Sequence, residues 1–193
     1  MPQRQDTSAP DGVPAALSTG PCVPTGETTP AGDATAQVME AWQRERPGVD
    51  ATPLAVFSRV ARLAKHLDQV RKAVLDRHNL QYWEFDVLAE LRRAGEPYEL
   101  TPGQMASAML VSSGTMTNRI DRLETAGLVT RHADQQDGRV TWVRATAAGL
   151  AAIDAAMDDL LQRETELLAA IPAEARSQLA LHLSHLLVGF ESH

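Results

Sequence analysis

The chain has 193 residues, a formal net charge of −7, 44% hydrophobic residues and only 4% aromatic ones. This composition fits a soluble globular chain with a core of Leu, Val, Ala and Met, and no apolar run reaches the ~18 residues of a membrane span. One cysteine, Cys22, excludes an internal disulfide and suits a reducing compartment, so a cytoplasmic location is expected.

Residues 1–36 are rich in Pro, Thr, Gly, Ala and Asp and have no apolar periodicity. Such a segment cannot bury enough apolar surface to offset its ordering entropy, and a disordered tail is expected, with Cys22 an inert thiol inside it. A basic start followed by an apolar stretch is missing, so a secretory signal is not expected. Residues 37–193 are read as one domain: N-terminal helices over 37–99, a central segment over 100–146 and C-terminal helices over 147–193.

Val38, Met39 and Trp42 mark a short helix that the ERPGVD stretch ends. Pro53 can open a longer one, in which Leu54, Phe57, Val60, Ala61, Ala64, Leu67, Val70 and Val74 recur at helical spacing. His78-Asn79-Leu80 predicts a break. Tyr82, Phe85, Leu88, Ala89 and Leu91 predict another helix, stopped near Gly95-Glu96-Pro97. Thr101-Pro102-Gly103-Gln104 then carries three start signals: a capping hydroxyl, a proline at the first helical position and a glutamine that can close a capping box. Met105, Ala106 and Met109 face inward from that helix.

Ser112 or Ser113 caps the next helix, whose apolar stripe is Met116, Ile120 and Leu123, with Gly127 suited to its C-terminal cap. Leu128–Arg131 and Val140–Arg144 are β-type runs joined by the turn-rich ADQQDGR tip. Thr146 caps a long helix striped by Leu150, Ile153, Met157, Leu160 and Leu161. Pro172 breaks it, and Leu179, Leu183, Leu186 and Leu187 stripe one more.

The order helix, tight turn, helix, charged hairpin places one helix in a DNA groove and lays a wing beside it. The second helix keeps an apolar stripe inward and short donors and acceptors at its N-terminal end: Ser112, Ser113, Thr115, Thr117 and Asn118. Asn pairs bidentately with adenine, and Ser and Thr reach bases or phosphates. Arg119 and Arg122 can add phosphate contacts or pair internally. At the hairpin tip Arg139 is suited to a narrow minor groove, with Asp137 two residues earlier to hold it. From Thr101 to Thr146 five arginines stand against four carboxylates, a local charge of +1, so the remainder carries −8. So small an excess favours binding with two copies per duplex.

Chemistry of other kinds is not supported. The six histidines include His182 and His185 at i, i+3, but no Cys or acidic neighbour completes metal-ligand spacing. Phosphate-binding glycine loops and a Gly-x-Ser-x-Gly elbow are absent. Glu164 and Glu166 fit a solvated face. No enzyme activity, catalytic residue, metal or cofactor is expected.

The stretch SSGTMTNRIDRLETAGLVTRHADQQDGRVTWVRATAAG resembles the recognition helix and wing of MarR-type transcriptional regulators, and the likeness extends over about Thr35 to Phe190. It implies a mainly α fold with a small β-wing, a winged helix-turn-helix held in a two-fold dimer by the N- and C-terminal helices. Asp137 and Arg139 match the family's Asp-x-Arg, while Gly138 stands where many members carry another basic residue. Such a dimer sets two recognition helices roughly 34 Å apart and so reads a palindromic operator in double-stranded DNA. Trp42-Gln43-Arg44-Glu45-Arg46-Pro47 and Glu84-Phe85-Asp86-Val87-Leu88 through Arg92-Arg93 resemble a narrower branch, the urate-responsive or PecS-like regulators. There an extra N-terminal helix supplies a Trp, and the helix before the DNA-binding motif an Asp and, seven residues on, an Arg: here Trp42, Asp86 and Arg93. An aromatic face stacks on a flat ligand and Arg neutralises its charge. The resemblance implies a dimeric repressor released from DNA by a small anionic aromatic ligand such as urate. Other phenolic or carboxylate effectors, and a winged-helix adaptor for protein partners, are the alternatives.

Overall fold

The computed structural model describes residues 33–191. Residues 1–32, including Cys22 and most of the segment read as a tail, lie outside the described residues. Residues 34–36, read from composition as part of that segment, are helical. Helix α1 runs Ala34–Glu45, and Asp33 is its N-cap, accepting the Thr35 amide at 2.9 Å.

The chain divides into two units, 1–59 and 60–193. In the first, α1 is followed by the opening turns of α2, Thr52–Arg77, where the Asp50 carboxylate caps the Thr52 amide at 2.9 Å. The Asp33 carboxylate also accepts from Arg59 Nε at 2.7 Å, so one side chain both caps α1 and pairs with α2. For Asp33 the Thr35 amide, then Arg59, lowers the pKa below the usual carboxylate range.

The second unit contains the core. Val74 and Leu75 end α2 in buried positions, and the chain turns at Asn79 with φ 54°. Asn is among the few residues that tolerate this left-handed conformation. Helix α3, Tyr82–Arg93, opens with a capping box between Gln81 and Glu84 and buries Phe85, Val87, Leu88 and Leu91. Helix α4, Pro102–Ala108, starts with the capping box foreseen at Thr101 and Gln104. Helix α5, Ser113–Thr125, is capped by Ser112 and ended by Gly127 at φ 72°. Met105, Met116, Ile120, Leu123, Val143 and Ile153 complete a single core with α3. Burying each such side chain contributes about 2 kcal/mol, so the stripe on α5 ties that helix firmly to the rest.

Strands β1 (Glu99–Leu100), β2 (Val129–Ala133) and β3 (Thr141–Ala145) form an antiparallel sheet in the order β1-β3-β2. The β2–β3 hairpin lies where the alternating runs put it. β1 was not foreseen: two residues carry no period, and only their partners Arg144 and Val143 make them a strand. Thr146 caps α6, Ala147–Leu168, by accepting the Gly149 amide at 3.0 Å. One residue of the α6 stripe is corrected. Leu160 is buried, whereas Leu161, about 100° further round the helix, is 51% exposed: at this end of α6 only one side is covered by the rest of the unit. Helix α7, Ala173–Glu191, has no fully buried side chain among the described residues: of its stripe Leu183 is half-buried and Leu179, Leu186 and Leu187 are exposed in the single chain. No helix among the described residues is long and apolar enough to cross a membrane.

Candidate nucleic-acid interface

Helix α5 separates its residues by chemistry. Met116, Ile120 and Leu123 are fully buried, while Ser112, Ser113, Thr115, Thr117 and Asn118 are all exposed. The apolar stripe at i, i+4, i+7 dictates this, since positions between its members must point away from the core. Ser112 Oγ accepts the Thr115 amide at 3.2 Å and shares a hydrogen bond with Thr115 Oγ1 at 2.9 Å. Thr117 Oγ1 donates to the Ser113 carbonyl at 2.9 Å. These hydroxyls are therefore held by local hydrogen bonds on the outward side of the first two turns.

The charges on α5 are sorted by one arginine of the neighbouring strand. Arg131 of β2 donates to Asp121 Oδ1 at 2.5 Å and to Glu124 Oε2 at 2.6 Å, and Glu124 also accepts the Arg131 backbone amide at 3.1 Å. Both acids of α5 are thus taken by a cation that is itself half-buried. Arg144 is likewise committed, to Glu99 Oε2 at 2.6 Å, and His132 reaches the same carboxylate at 2.9 Å. Arg119 and Arg122 remain on the outward side, their guanidinium carbons 6.0 and 4.7 Å from the Trp83 ring centroid. With Gly114, Thr115 and Asn118 these three line an open cavity of about 440 Å³. Arg119, Arg122 and Arg131 against Asp121 and Glu124 leave α5 and its partner strand at +1, with the Arg119 and Arg122 charges on the outward side.

The hairpin tip is organised by an acid that sequence reading treated only as part of a turn. Asp134 accepts the amides of Gln136 and Asp137 at 2.8 and 2.9 Å, and Trp142 Nε1 donates to its other oxygen at 2.8 Å. The Asp137 amide, then the Trp142 indole and the Gln136 amide, hold its carboxyl below the usual carboxylate range. Asp137 in turn accepts from the Arg139 amide at 3.1 Å and from Arg139 Nε at 3.2 Å. The Arg139 side chain is 92% exposed. The tip thus presents one arginine, aimed by Asp137 on a loop that Asp134 braces.

The candidate effector residues are not paired with one another. On α3, Asp86 accepts from Arg71 of α2 at 2.5 Å, and Arg93 is bonded to Glu90. The Arg71 guanidinium also lies 5.2 Å from the Tyr82 ring and 5.0 Å from the Phe85 ring, and its Nε is buried without a hydrogen-bond partner. Trp42, on α1 of the first unit, is 47% exposed. Arg71, Trp83 and Asp134 are the residues that sequence reading did not single out. Arg71 and Trp83 lie at helical positions whose partners are on other helices, so spacing along the chain carries no signal for them.

The MarR family model matches residues 78–140 of the chain. The chain is 32% identical over 156 residues to the HTH-type transcriptional regulator PecS of Dickeya dadantii, covering 81% of this chain and 92% of that one. Among solved structures, a MarR family protein from Bacillus stearothermophilus superposes with a TM-score of 0.63 at 22% identity, over 74% of this chain and 99% of the other. The S. aureus MepR–DNA complex gives 0.55 at 23% identity, over 69% and 99%. The two structures speak to the fold, which is the winged helix-turn-helix described above. Identity to PecS over nearly the whole of that regulator, together with the match across α3, α4, α5, β2 and the hairpin tip, makes this chain a member of the MarR family of transcriptional regulators, with kinship to regulators and not to enzymes.

Proposed function

We propose that the chain is a cytoplasmic, dimeric repressor that binds a palindromic operator and leaves it when a small anionic aromatic ligand, urate or a phenolic or carboxylate relative, is bound. The observation that carries the DNA reading is the outward side of α5. Ser113, Thr115, Thr117 and Asn118 are exposed there beside two arginines, and both its acids are paired with Arg131. In this reading α5 enters the major groove and Arg139 the neighbouring minor groove. The family's MepR, solved with DNA, supports the same use of the fold. Exposed apolar side chains on α6 and α7, Leu161, Leu179, Leu186 and Phe190 among them, support burial against a second copy.

The test is selection of duplexes from a random pool by the purified chain, followed by titration against salt. A two-fold symmetric site, with log affinity falling in proportion to log salt at a slope of about −5 or steeper, is the expected result. Failure to enrich any duplex would favour the adaptor for protein partners.

For the effector, the pairing of Asp86 with Arg71 supports a carboxylate whose partner an incoming anion can compete for. Arg93 gives up only a surface pair with Glu90 to meet a ligand. Arg93→Ala should bind operator as the wild type does and lose most of the release caused by urate or phenolic acids. Full release in that variant would remove Arg93 from the effector site.

A further inference from the structure

We propose that Trp83 is a positioning residue for DNA binding, its ring holding the Arg122 guanidinium, with that of Arg119, ready on the outward side of α5. The inference rests on the reading of α5 as the DNA-facing helix and adds a residue of α3 to it.

Four other arginines of this unit, Arg71, Arg92, Arg131 and Arg144, spend N–H groups on carboxylates. Arg119 and Arg122 do not: among the described residues no hydrogen bond or ion pair engages either guanidinium, and each lies over the Trp83 ring instead. A guanidinium stacked on a ring is held through its face. Its N–H donors point outward in its own plane and stay available to a phosphate. A carboxylate partner consumes donors, as it does for Arg71 and Arg92, which also lie over rings, whereas a ring contact alone leaves the donors presented.

The ring can act as a fixed platform because Trp83 is half-buried and packs against the core beside Tyr82. The cavity of about 440 Å³ beside it is open and is lined on its other side by Gly114, Thr115 and Asn118, residues already placed on the outward side of α5. An arginine fixed before DNA arrives loses less conformational freedom on binding than one free in solvent. Trp83 is thereby expected to raise affinity without touching DNA.

The experiment measures affinity of the full chain for a duplex selected by the wild type, by fluorescence anisotropy, for Trp83→Met, Trp83→Phe, Arg122→Gln and the Trp83→Met/Arg122→Gln pair. Methionine keeps apolar length against the core and removes the ring. Trp83→Met should weaken binding about fivefold, the size of one cation–π contact of about 1 kcal/mol, and Trp83→Phe should restore most of it. The pair should lose clearly less than the product of the two single losses, since the ring acts mainly through Arg122 at 4.7 Å and more weakly through Arg119 at 6.0 Å. Wild-type affinity in Trp83→Met, undiminished affinity in Arg122→Gln, or losses that multiply in the pair would overturn the inference. Should Trp83→Met melt at much lower temperature than the wild type, Trp83→Phe against Trp83→Phe/Arg122→Gln supplies the same comparison with the ring kept. An Arg122 effect that is unchanged by the Phe ring supports the inference, and one that vanishes overturns it. If the wild type selects no duplex, the DNA-binding reading itself falls, and Trp83 with it.

Discussion

Arg139→Ala should lower operator affinity at least about 30-fold while leaving the melting temperature unchanged. The two halves of that expectation have separate causes. Arg139 is 92% exposed and, among the described residues, pairs with no carboxylate but Asp137, two residues away on the same loop. A surface pair of this kind contributes little to folding, so stability should stay within about 0.5 kcal/mol of the wild type. A guanidinium inserted into a minor groove is another matter, worth roughly 1–3 kcal/mol per site, and a symmetric dimer inserts two. Asp137→Ala should give a smaller loss, since it frees the aim of Arg139 but keeps the charge. Both are checked by anisotropy titration at fixed salt with a parallel thermal melt. An Arg139→Ala chain that binds as well as the wild type would show that the wing does not enter the groove.

Gly149→Ala should cost about 3 kcal/mol of stability, against the usual direction for this substitution in a helix. Alanine normally gains up to about 1 kcal/mol over glycine at an exposed helical position. At Gly149 a Cβ would stand 2.1 Å from the Leu128 carbonyl oxygen, 3.1 Å from its carbon and 3.3 Å from Leu88 Cδ2. The oxygen cannot retreat easily, because it already accepts the Thr146 amide at 3.0 Å and the Thr146 hydroxyl at 3.1 Å. Overpacking a well-filled core costs roughly 1–3 kcal/mol and more when backbone must move. Gly103→Ala in α4 is the control: nothing lies within 4 Å of its Cβ, and it should be neutral or slightly stabilising. Urea denaturation of both variants decides the point, and a Gly149→Ala chain as stable as the wild type would mean that α6 sits farther from β2 than described.

Much of this architecture was legible along the chain because its signals are local. Thr101, Ser112 and Thr146 cap helices in which each hydroxyl accepts an amide three residues on, a relation that spacing alone contains. Met116, Ile120 and Leu123 imply by their period which side of α5 is outward, and the exposed polar residues follow from that. The wing was legible from two β-type runs and the Asp-Gly step between them. The kinship with MarR regulators rested on residues in the same stretch and agrees with the identity to PecS.

Capping and periodicity act over three to seven residues, and from them follow which residues form helices, which form the hairpin and which side of α5 meets solvent. Tertiary structure decided the partners. Arg131 and Arg144 counted equally with Arg119, Arg122 and Arg139 in the charge of the segment, yet folding commits the first two to carboxylates on other elements and sets Arg119 and Arg122 on Trp83. Asp86 and Arg93, seven residues apart on one helix, each found a nearer partner in Arg71 and Glu90. Leu160 and Leu161 could be told apart only by where α6 docks. Ion pairs and ring contacts form through space at a few ångströms, and chain spacing has no bearing on that distance once two elements pack together.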